Sequence, residues 1–517
     1  HADELLSVGD GFMFCNLGVQ KISFNKLREC KNQFFAQNTR VNEVHMPELE
    51  QCGHSFMASN EELRVLTLEK LRKCGGSFLA VNQCLEQINL MMLEECKESF
   101  LHANKALKYI YLPRLKELGV DILWFMPIHP ISEVNRKGEL GSYYAVKDYK
   151  GFNPEFGTLD DFKAMVNQAH EMGMKVILDW VPNHTGCDNA WVTEHPEWYS
   201  VNEEGKMYGP FDWTDVYELN YDNREMRAAM VDALKFWLTD VNVDGFRCDV
   251  AGEVPTDFWD EARPQLDSVK PELFMLAEAS KPELNKHAFN MGYNWPMKDL
   301  FSEIAATSGK YTFKNADGTM RTFPVKHAVA IDSLLADQAT NYPKDTYLMN
   351  MITNHDLNSW EGTEFERLGN LSEAFAVLSY TLPGMPLIYT GQETGMNRAF
   401  EFFKKDEAPE WEPRNGYFTF YQKLNTLKHE QAALKAGIEG GEMVRYATKS
   451  DDLYVFSRSV DGSTVLTMVN LGKDEQPVEY VAEAPAGADT MVNFFTNKVE
   501  DYPVTLLPGE YRVYVNK

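Results

Sequence analysis

The 517-residue chain predicts a parallel β/α barrel, preceded by a solenoid of short repeats and followed by an all-β domain. Three observations predict this order. Residues 1–111 carry a constant 22-residue repeat. Residues 112–435 alternate short apolar runs with helical patterns, and the apolar runs end in polar clusters. Residues 436–517 break into short alternating strands. At about 150 residues per domain, three domains are also what the length suggests.

The repeat is read from its register. Cysteines stand at 30, 52, 74 and 96, and Phe34, Phe56, Phe78 and Phe100 follow each by four residues. Asn38, Asn60, Asn82 and Asn104 keep the same step, as do Leu27, Leu49, Leu71, Leu93 and Leu115, and Ile22, Val44, Leu66, Ile88 and Ile110. Phe12 and Asn16 mark one earlier, degenerate copy. A fixed period of this size means stacked units, each burying its apolar face on the next. Six of the eight cysteines lie in this segment. Equivalent positions of stacked units form a ladder, so these cysteines read as reduced packing residues, with Cys15 and Cys84 the two most able to pair. The unit LxxIxLxxLxxCxxSFxxxN resembles the leucine-rich repeats of bacterial surface proteins.

Seven barrel strands are visible, at about 122–127, 175–180, 245–250, 273–278, 289–295, 348–353 and 386–390. Each is a short apolar run, the signature of a strand buried on both faces. Helical patterns such as DDFKAMVNQAHEMG at 160–173 and FYQKLNTLKHEQAAL at 420–434 alternate with them. Residues 185–224 are rich in Trp, Tyr, Asp and Gly without a period, and read as a small inserted lobe. After 436 the strings MVRYAT, LYVFSRS, TVLTMVN and YRVYVN read as a β-sandwich.

Four strings carry the chemistry: KVILDWVPNH at 175–184, DGFRCDV at 244–250, LFMLAEAS at 273–280 and MNMITNHD at 349–356. Each puts polar residues where a strand opens into a loop, the place where a β/α barrel keeps its active site. Singly, each is as well explained by a helix N-cap or a solvated loop. Together, in this order, they resemble the α-amylase family of retaining glycoside hydrolases. GVDILWFMPI at 119–128 resembles that family's second strand, GMPLIYTGQE at 384–393 its eighth, and SYYAVKDY at 142–149 its sugar-stacking loop. The resemblance spans residues 112–517 and implies a (β/α)8-type TIM barrel.

The resemblance assigns roles. Cleaving a glycosidic bond through an oxocarbenium-like state needs an acid on the leaving oxygen and a carboxylate facing the anomeric carbon. Asp249 matches the nucleophile, with Arg247 two residues earlier keeping it ionised. Glu278 matches the acid, its apolar strand favouring the protonated form. Asp356 matches the third carboxylate, which grips sugar hydroxyls. His184, His355, Arg247 and Tyr144 are the expected substrate-binding residues. Asp179 and Asn183 read as structural support, and Cys248 as packing on the opposite strand face. The sequence VAGEVP after the nucleophile, with Glu253, resembles the neopullulanase and cyclomaltodextrinase branch. No cofactor is required. Calcium is compatible with the family, although Glu218 replaces the usual Asp at a calcium-linked position, so a metal site stays open.

The composition narrows the partners. Fifty basic against 77 acidic side chains give a net charge of −27, which repels nucleic acid and anionic membranes but not neutral sugars. No run approaches the roughly 20 apolar residues that span a bilayer. The expected substrate is an α-glucan or maltodextrin, and the repeats would face a protein or glycan partner. The chain starts at His1 with no signal-peptide pattern, as a processed or incomplete product would. The compartment stays open, with cell-surface, periplasmic or secreted placement favoured over cytoplasmic.

The junction departs from the pattern. Repeat sequence stands where a first barrel strand and helix are expected, and LKYIYL at 107–112 is expected beside the 122–127 strand, partly filling the gap. Two readings follow: a starch-degrading hydrolase, or a catalytically impaired or chimeric glycan- or protein-binding protein with an incomplete barrel.

Overall fold

The computed structural model describes residues 4–516 except 83, 86, 91, 94, 97–108, 112–113, 307–309, 315–319, 410, 412–413 and 488. The chain divides into two compact units. One comprises residues 1–120, 154–165 and 410–416, and the other the remainder.

In the first unit the 22-residue step becomes a stack of parallel strands. Ser7–Val8, Glu29–Cys30, Gln51–Cys52, Lys73–Cys74 and Glu95–Cys96 pair in that order, each cysteine beside the next. A parallel pair, Lys21–Ser23 with Glu43–His45, and a parallel three-stranded sheet of Val65–Thr67, Gln87–Asn89 and Tyr109–Tyr111 form the second set of strands. Between them the apolar positions close into one core, with Leu27, Phe34, Leu49, Phe56, Leu71 and Phe78 wholly buried. Phe12, Phe34, Phe56 and Phe78 stack face to face at 5.9, 5.6 and 5.3 Å, nearly parallel. The asparagines satisfy the buried turns. Asn38 Oδ1 accepts from Asn16 N at 2.7 Å, Asn60 Oδ1 from Asn38 N at 3.1 Å, and Asn82 Oδ1 from Asn60 N at 2.7 Å. A buried backbone donor left unpaired costs about 1 to 3 kcal/mol, which is why asparagine recurs at this position. Cys15 and Cys84 are both free, so the pair named as most able to bridge is unbridged, and Cys30 and Cys52 are buried free thiols.

Tyr109–Tyr111 pairs with Gln87–Asn89 in the repeat register. Its backbone continues the 22-residue step, so the pairing that the repeat dictates prevails. Residues 107, 108 and 112 of that segment lie outside the described residues.

The second unit is built on a curled, all-parallel sheet of seven strands: β1 (Ile122–Phe125), β2 (Lys175–Trp180), β3 (Gly245–Cys248), β4 (Phe274–Ala277), β5 (Met291–Tyr293), β6 (Tyr347–Asn350) and β7 (Met385–Pro386), in that order. All seven expected strands have a counterpart, most ending one to four residues short of the apolar run, and β7 overlaps the expected 386–390 only at Pro386. Among the described residues no eighth strand joins β1 to β7. Helices Arg224–Thr239, Thr256–Asp267, Trp295–Ala305, Ala330–Asn341 and Ser372–Thr381 lie between the strands, two of them between β5 and β6. Side-chain caps start two of them, Asn223 on Glu225 and Met226, and Asn294 on Met297. Leu276, Met291, Tyr293, Met349 and Met351 fill the sheet's interior.

The insertion contributes a hairpin of His184–Gly186 with Val216–Glu218. At the C-terminus, β8 (Glu442–Arg445), β9 (Leu453–Val460), β10 (Ser463–Asn470), β11 (Met491–Asn493) and β12 (Tyr511–Asn516) form an antiparallel sheet in the order β8-β9-β10-β12-β11. No helix among the described residues is long and apolar enough to cross a membrane.

Candidate active site

The site is organised around one buried guanidinium. Arg247 on β3 lies beside Asp179 on β2 in the strand register, and both are wholly buried. Arg247 Nη1 donates to Asp179 Oδ1 and to Asp249 Oδ1, each at 2.8 Å, and Nη2 lies 3.0 Å from Glu278 Oε1. Nε donates to the Tyr293 hydroxyl at 3.1 Å. The guanidinium carbon sits over the rings of Trp124 at 5.3 Å and Tyr293 at 5.5 Å. Asp179 Oδ2 accepts from Trp124 Nε1 at 3.1 Å and from the Tyr144 hydroxyl at 3.2 Å.

Asp249 and Glu278 follow the last residues of β3 and β4. Their backbone N–H groups still donate to the neighbouring strands, Asp249 to Trp180 O at 2.8 Å and Glu278 to Cys248 O at 3.0 Å. The chain then turns sharply. Val250 has φ +43°, a left-handed conformation that a β-branched residue adopts only under constraint, at about 1 to 3 kcal/mol. The turn aims the Val250 N–H at Glu278 Oε2, 2.7 Å away.

Three carboxylates thus share a single cation at the base of the cleft. Burial pushes Asp179 up to about 7, with Arg247 opposing. Burial, then the neighbouring Glu278, pushes Asp249 well above the usual carboxylate range, and Arg247 again opposes. With all three ionised the cluster carries two negative charges in excess, an environment that favours positive charge developing nearby.

His355 and Asp356 complete the floor. The Tyr144 hydroxyl donates to Asp179 at 3.2 Å and lies 2.8 Å from His355 Nε2. Asp356 Oδ2 lies 3.3 Å from the same nitrogen. Burial, reinforced by Arg247, pushes His355 down to about 3, and burial pushes His184 down to about 3, so both rings are neutral donors or acceptors at neutral pH. Burial raises Asp356, with Arg247 opposing.

These groups open into a cleft of about 600 Å³. Tyr144, His184, Asp249, Glu278 and Asp356 all line it. One wall comes from the inserted lobe, where Trp213 packs edge-on against His184 at 5.2 Å and Phe211 packs on Trp213 at 5.0 Å. An ion pair between Lys137 and Asp215, 2.9 Å long, lies at the same wall. Trp360, Phe402 and Phe403 line another part of the cleft.

Of the nine residues that the sequence nominated, eight are gathered here. The exception is Asn183, whose backbone oxygen accepts from Leu219 N at 3.1 Å and holds the inserted lobe beside His184. Asp179 braces the guanidinium and Tyr144, whereas the His184 loop is held by the Tyr149 hydroxyl, which donates to Val181 O at 2.7 Å and His184 O at 3.0 Å. Cys248 is buried beside the cluster, as its packing role requires. Sequence reasoning missed Trp124 and Tyr293, which hold Arg247. Both stand on apolar strands of the same sheet, Trp124 two residues short of Asp179 in register and Tyr293 two residues beyond it. Glu218, the calcium-linked position, accepts from Ser200 Oγ at 3.3 Å. Among the described residues no group of three or more His, Cys, Asp or Glu side chains is placed to hold a metal ion.

Comparison with known proteins places this geometry. Residues 107–217 and 193–415 match the α-amylase catalytic domain. The chain is 29% identical to neopullulanase 2 of Thermoactinomyces vulgaris over 391 residues, 70% of this chain and 61% of that protein. It is 26% identical to the maltogenic α-amylase of Bacillus acidopullulyticus over 74% of this chain and 65% of that one. The chain therefore spans less than two thirds of the length of both relatives. Among solved structures, an α-amylase from Lactobacillus plantarum superposes with a TM-score of 0.64 at 32% identity, over 78% of this chain and 93% of that one. A noncanonical maltogenic α-amylase from Thermotoga neapolitana gives 0.65 at 27% identity, over 78% and 92%. With its catalytic-domain match covering more than half of its length and its seven parallel strands in barrel order, the chain belongs to the α-amylase family.

Proposed function

We propose that the protein is a retaining glycoside hydrolase that cleaves α-glucosidic bonds in starch-derived maltodextrins by double displacement. The observation that carries this reading is the pairing of Asp249 and Glu278 on adjacent nitrogens of one guanidinium at the base of the cleft. That arrangement suits the short carboxyl separation, about 5 to 5.5 Å, of retaining enzymes. Asp249 Oδ1 is held by Arg247, which leaves Oδ2 to attack the anomeric carbon. As the bond from that carbon to the leaving oxygen breaks, Glu278 gives its proton to the oxygen and the Asp249 ester forms. In the second step Glu278 takes a proton from water, the water oxygen bonds to the anomeric carbon, and Asp249 is released as carboxylate. The cluster's excess negative charge favours the oxocarbenium-like state in both steps. Asp356, His355 and His184 bind sugar hydroxyls, Tyr144 stacks on the reacting ring, and Asp179 keeps Arg247 and Tyr144 in place.

The retained carboxylates and their common cation argue against the impaired or chimeric reading. Around this centre, the repeats fit a leucine-rich-repeat solenoid that presents a surface to a protein or glycan, and the C-terminal sheet fits the β-sandwich of the family. No step above runs through calcium.

Incubating the protein with maltoheptaose and following the first product by NMR tests the reading. Hydrolysis with an α-configured product is expected, and Asp249→Asn and Glu278→Gln should each lower turnover by about a thousandfold or more with the fold intact. A β-configured first product, or near-parent activity in either variant, would overturn it.

A further inference from the structure

Trp180, Trp237 and Trp259 are fully buried, but Trp360 is 60% exposed. It sits four residues after Asp356, on the single π-helical turn Leu357–Glu361, and lines the catalytic cleft. An isolated exposed apolar side chain needs no explanation. This one ends a row of rings that starts in the reacting centre. His355 stacks on Tyr144 at 6.0 Å, Tyr144 stacks on Phe402 at 6.3 Å with only 13° between planes, and Phe402 packs on Trp360 at 5.3 Å.

The outer end of the row is fixed in place. Asn358 ties the turn to the loop carrying Phe402 through two hydrogen bonds, Nδ2 to Arg398 O at 3.1 Å and Phe400 N to Oδ1 at 2.8 Å. Phe403 packs on Trp360 at 6.0 Å and accepts from Leu140 N through its backbone oxygen at 2.9 Å. Gly138, with φ +63°, lets that loop approach so closely that a Cβ there would lie 2.6 Å from Phe403 Cβ. A platform held on this many sides loses little entropy when something stacks on it.

We propose that Trp360 is a specificity-determining platform, stacking on a glucosyl unit of an α-glucan outside the reacting position and so favouring longer maltodextrins over short ones. This rests on the α-glucan reading of the site. A pyranose offers an apolar face to an indole and hydroxyls to the surrounding polar groups, and the row of rings offers such faces from the reacting centre outward. Stacking on Trp360 holds substrate and transition state alike, so its loss appears chiefly in KM.

The test compares Trp360→Ala and Trp360→Phe on maltoheptaose and maltotriose, with maltoheptaose titrated calorimetrically into Asp249→Asn and Asp249→Asn/Trp360→Ala. Trp360→Ala should lower kcat/KM on maltoheptaose about tenfold, mostly through KM, with a clearly smaller loss on maltotriose and partial recovery in Trp360→Phe. Kd should rise about tenfold in the double variant. Equal losses on the two substrates, an unchanged Kd, or no binding of maltoheptaose to Asp249→Asn would overturn the platform. Binding by Asp249→Asn with no hydrolysis by the parent protein would instead overturn the hydrolase reading, and the Kd comparison would still decide the platform.

Discussion

Replacing Arg247 by methionine keeps much of the side chain's length and removes the charge that two buried carboxylates, Asp179 and Asp249, share with the partly exposed Glu278. Asp179, Asp249 and Glu278 lie 2.8, 2.8 and 3.0 Å from its nitrogens. Removing one partner of such a buried group costs about 3 to 5 kcal/mol, because the remaining charges are uncompensated. The loss should depend on pH, with a sign that the structure sets. Burial holds Asp179 at about 7 against an ordinary 3.8, so the folded protein binds this proton more tightly than the unfolded chain. Stability from this group is therefore fully present below about pH 4 and is lost as pH rises towards 7. Arg247 lowers both Asp179 and Asp249, so without it the decline is steeper and extends further up the pH scale. Each extra proton retained adds a slope of about 1.4 kcal/mol per pH unit. Guanidinium chloride unfolding at pH 5, 6, 7 and 8, followed by tryptophan fluorescence, measures the difference, and Trp124 lies close enough to the guanidinium to report on it. The full loss is expected at pH 8 and a distinctly smaller one at pH 5. Equal losses at the two ends, or a loss at pH 8 below about 1 kcal/mol as for an exposed pair, would refute the shared-cation argument.

Other expectations follow from the same geometry. Tyr144→Phe keeps the ring but deletes the hydroxyl between Asp179 and His355, so kcat on maltoheptaose should fall about 10- to 100-fold, and an unchanged kcat would show that the bridge is idle. Activity should rise with pH through an acid limb above the ordinary carboxylate range, because Asp249 must ionise and burial with Glu278 raises it; a limb at about 4 would count against Asp249 as nucleophile. In the repeats, Phe56→Ala empties a site packed between Phe34 and Phe78 and should cost about 3 to 5 kcal/mol in chemical unfolding, whereas a loss below about 1 kcal/mol would mean that the ring stack contributes little.

Much of the fold was legible because burial writes itself into sequence. KVILDW is buried from its second residue onward and is a strand over the same residues. The 22-residue ladder was read from the recurring Cys, Phe, Asn, Leu and Ile positions, and Cys30, Cys52 and Cys74, Phe34 and Phe56, and Asn38 and Asn60 are in register with one another. The run at 245–250 was read two residues too long, because Val250 turns into a left-handed conformation that no local apolar pattern signals. Of the site, the strand-end residues were legible and their partners less so. Asp179 read only as structural support, and cross-strand register shows what it supports by setting it beside Arg247. Phe402 and Trp360 were invisible as a pair, since they meet only through loops far apart in the chain. LKYIYL fits two patterns, and the described strand Tyr109–Tyr111 follows the one set by its nearest repeat neighbour.

The asparagine ladder of the repeats has a direction. Each side-chain oxygen takes the N–H of the repeat before it, from Asn16 to Asn38, Asn38 to Asn60 and Asn60 to Asn82. The phenylalanine stack and the cysteine-bearing strands advance on the same step. Three independent ladders therefore share one count, and a deletion of a single residue throws all of them out of phase together. A gain or loss of one whole 22-residue unit disturbs none of them. Unequal recombination within the gene can thus lengthen or shorten the array in fixed increments, leaving every surviving contact intact, while a change of any other length breaks the shared register.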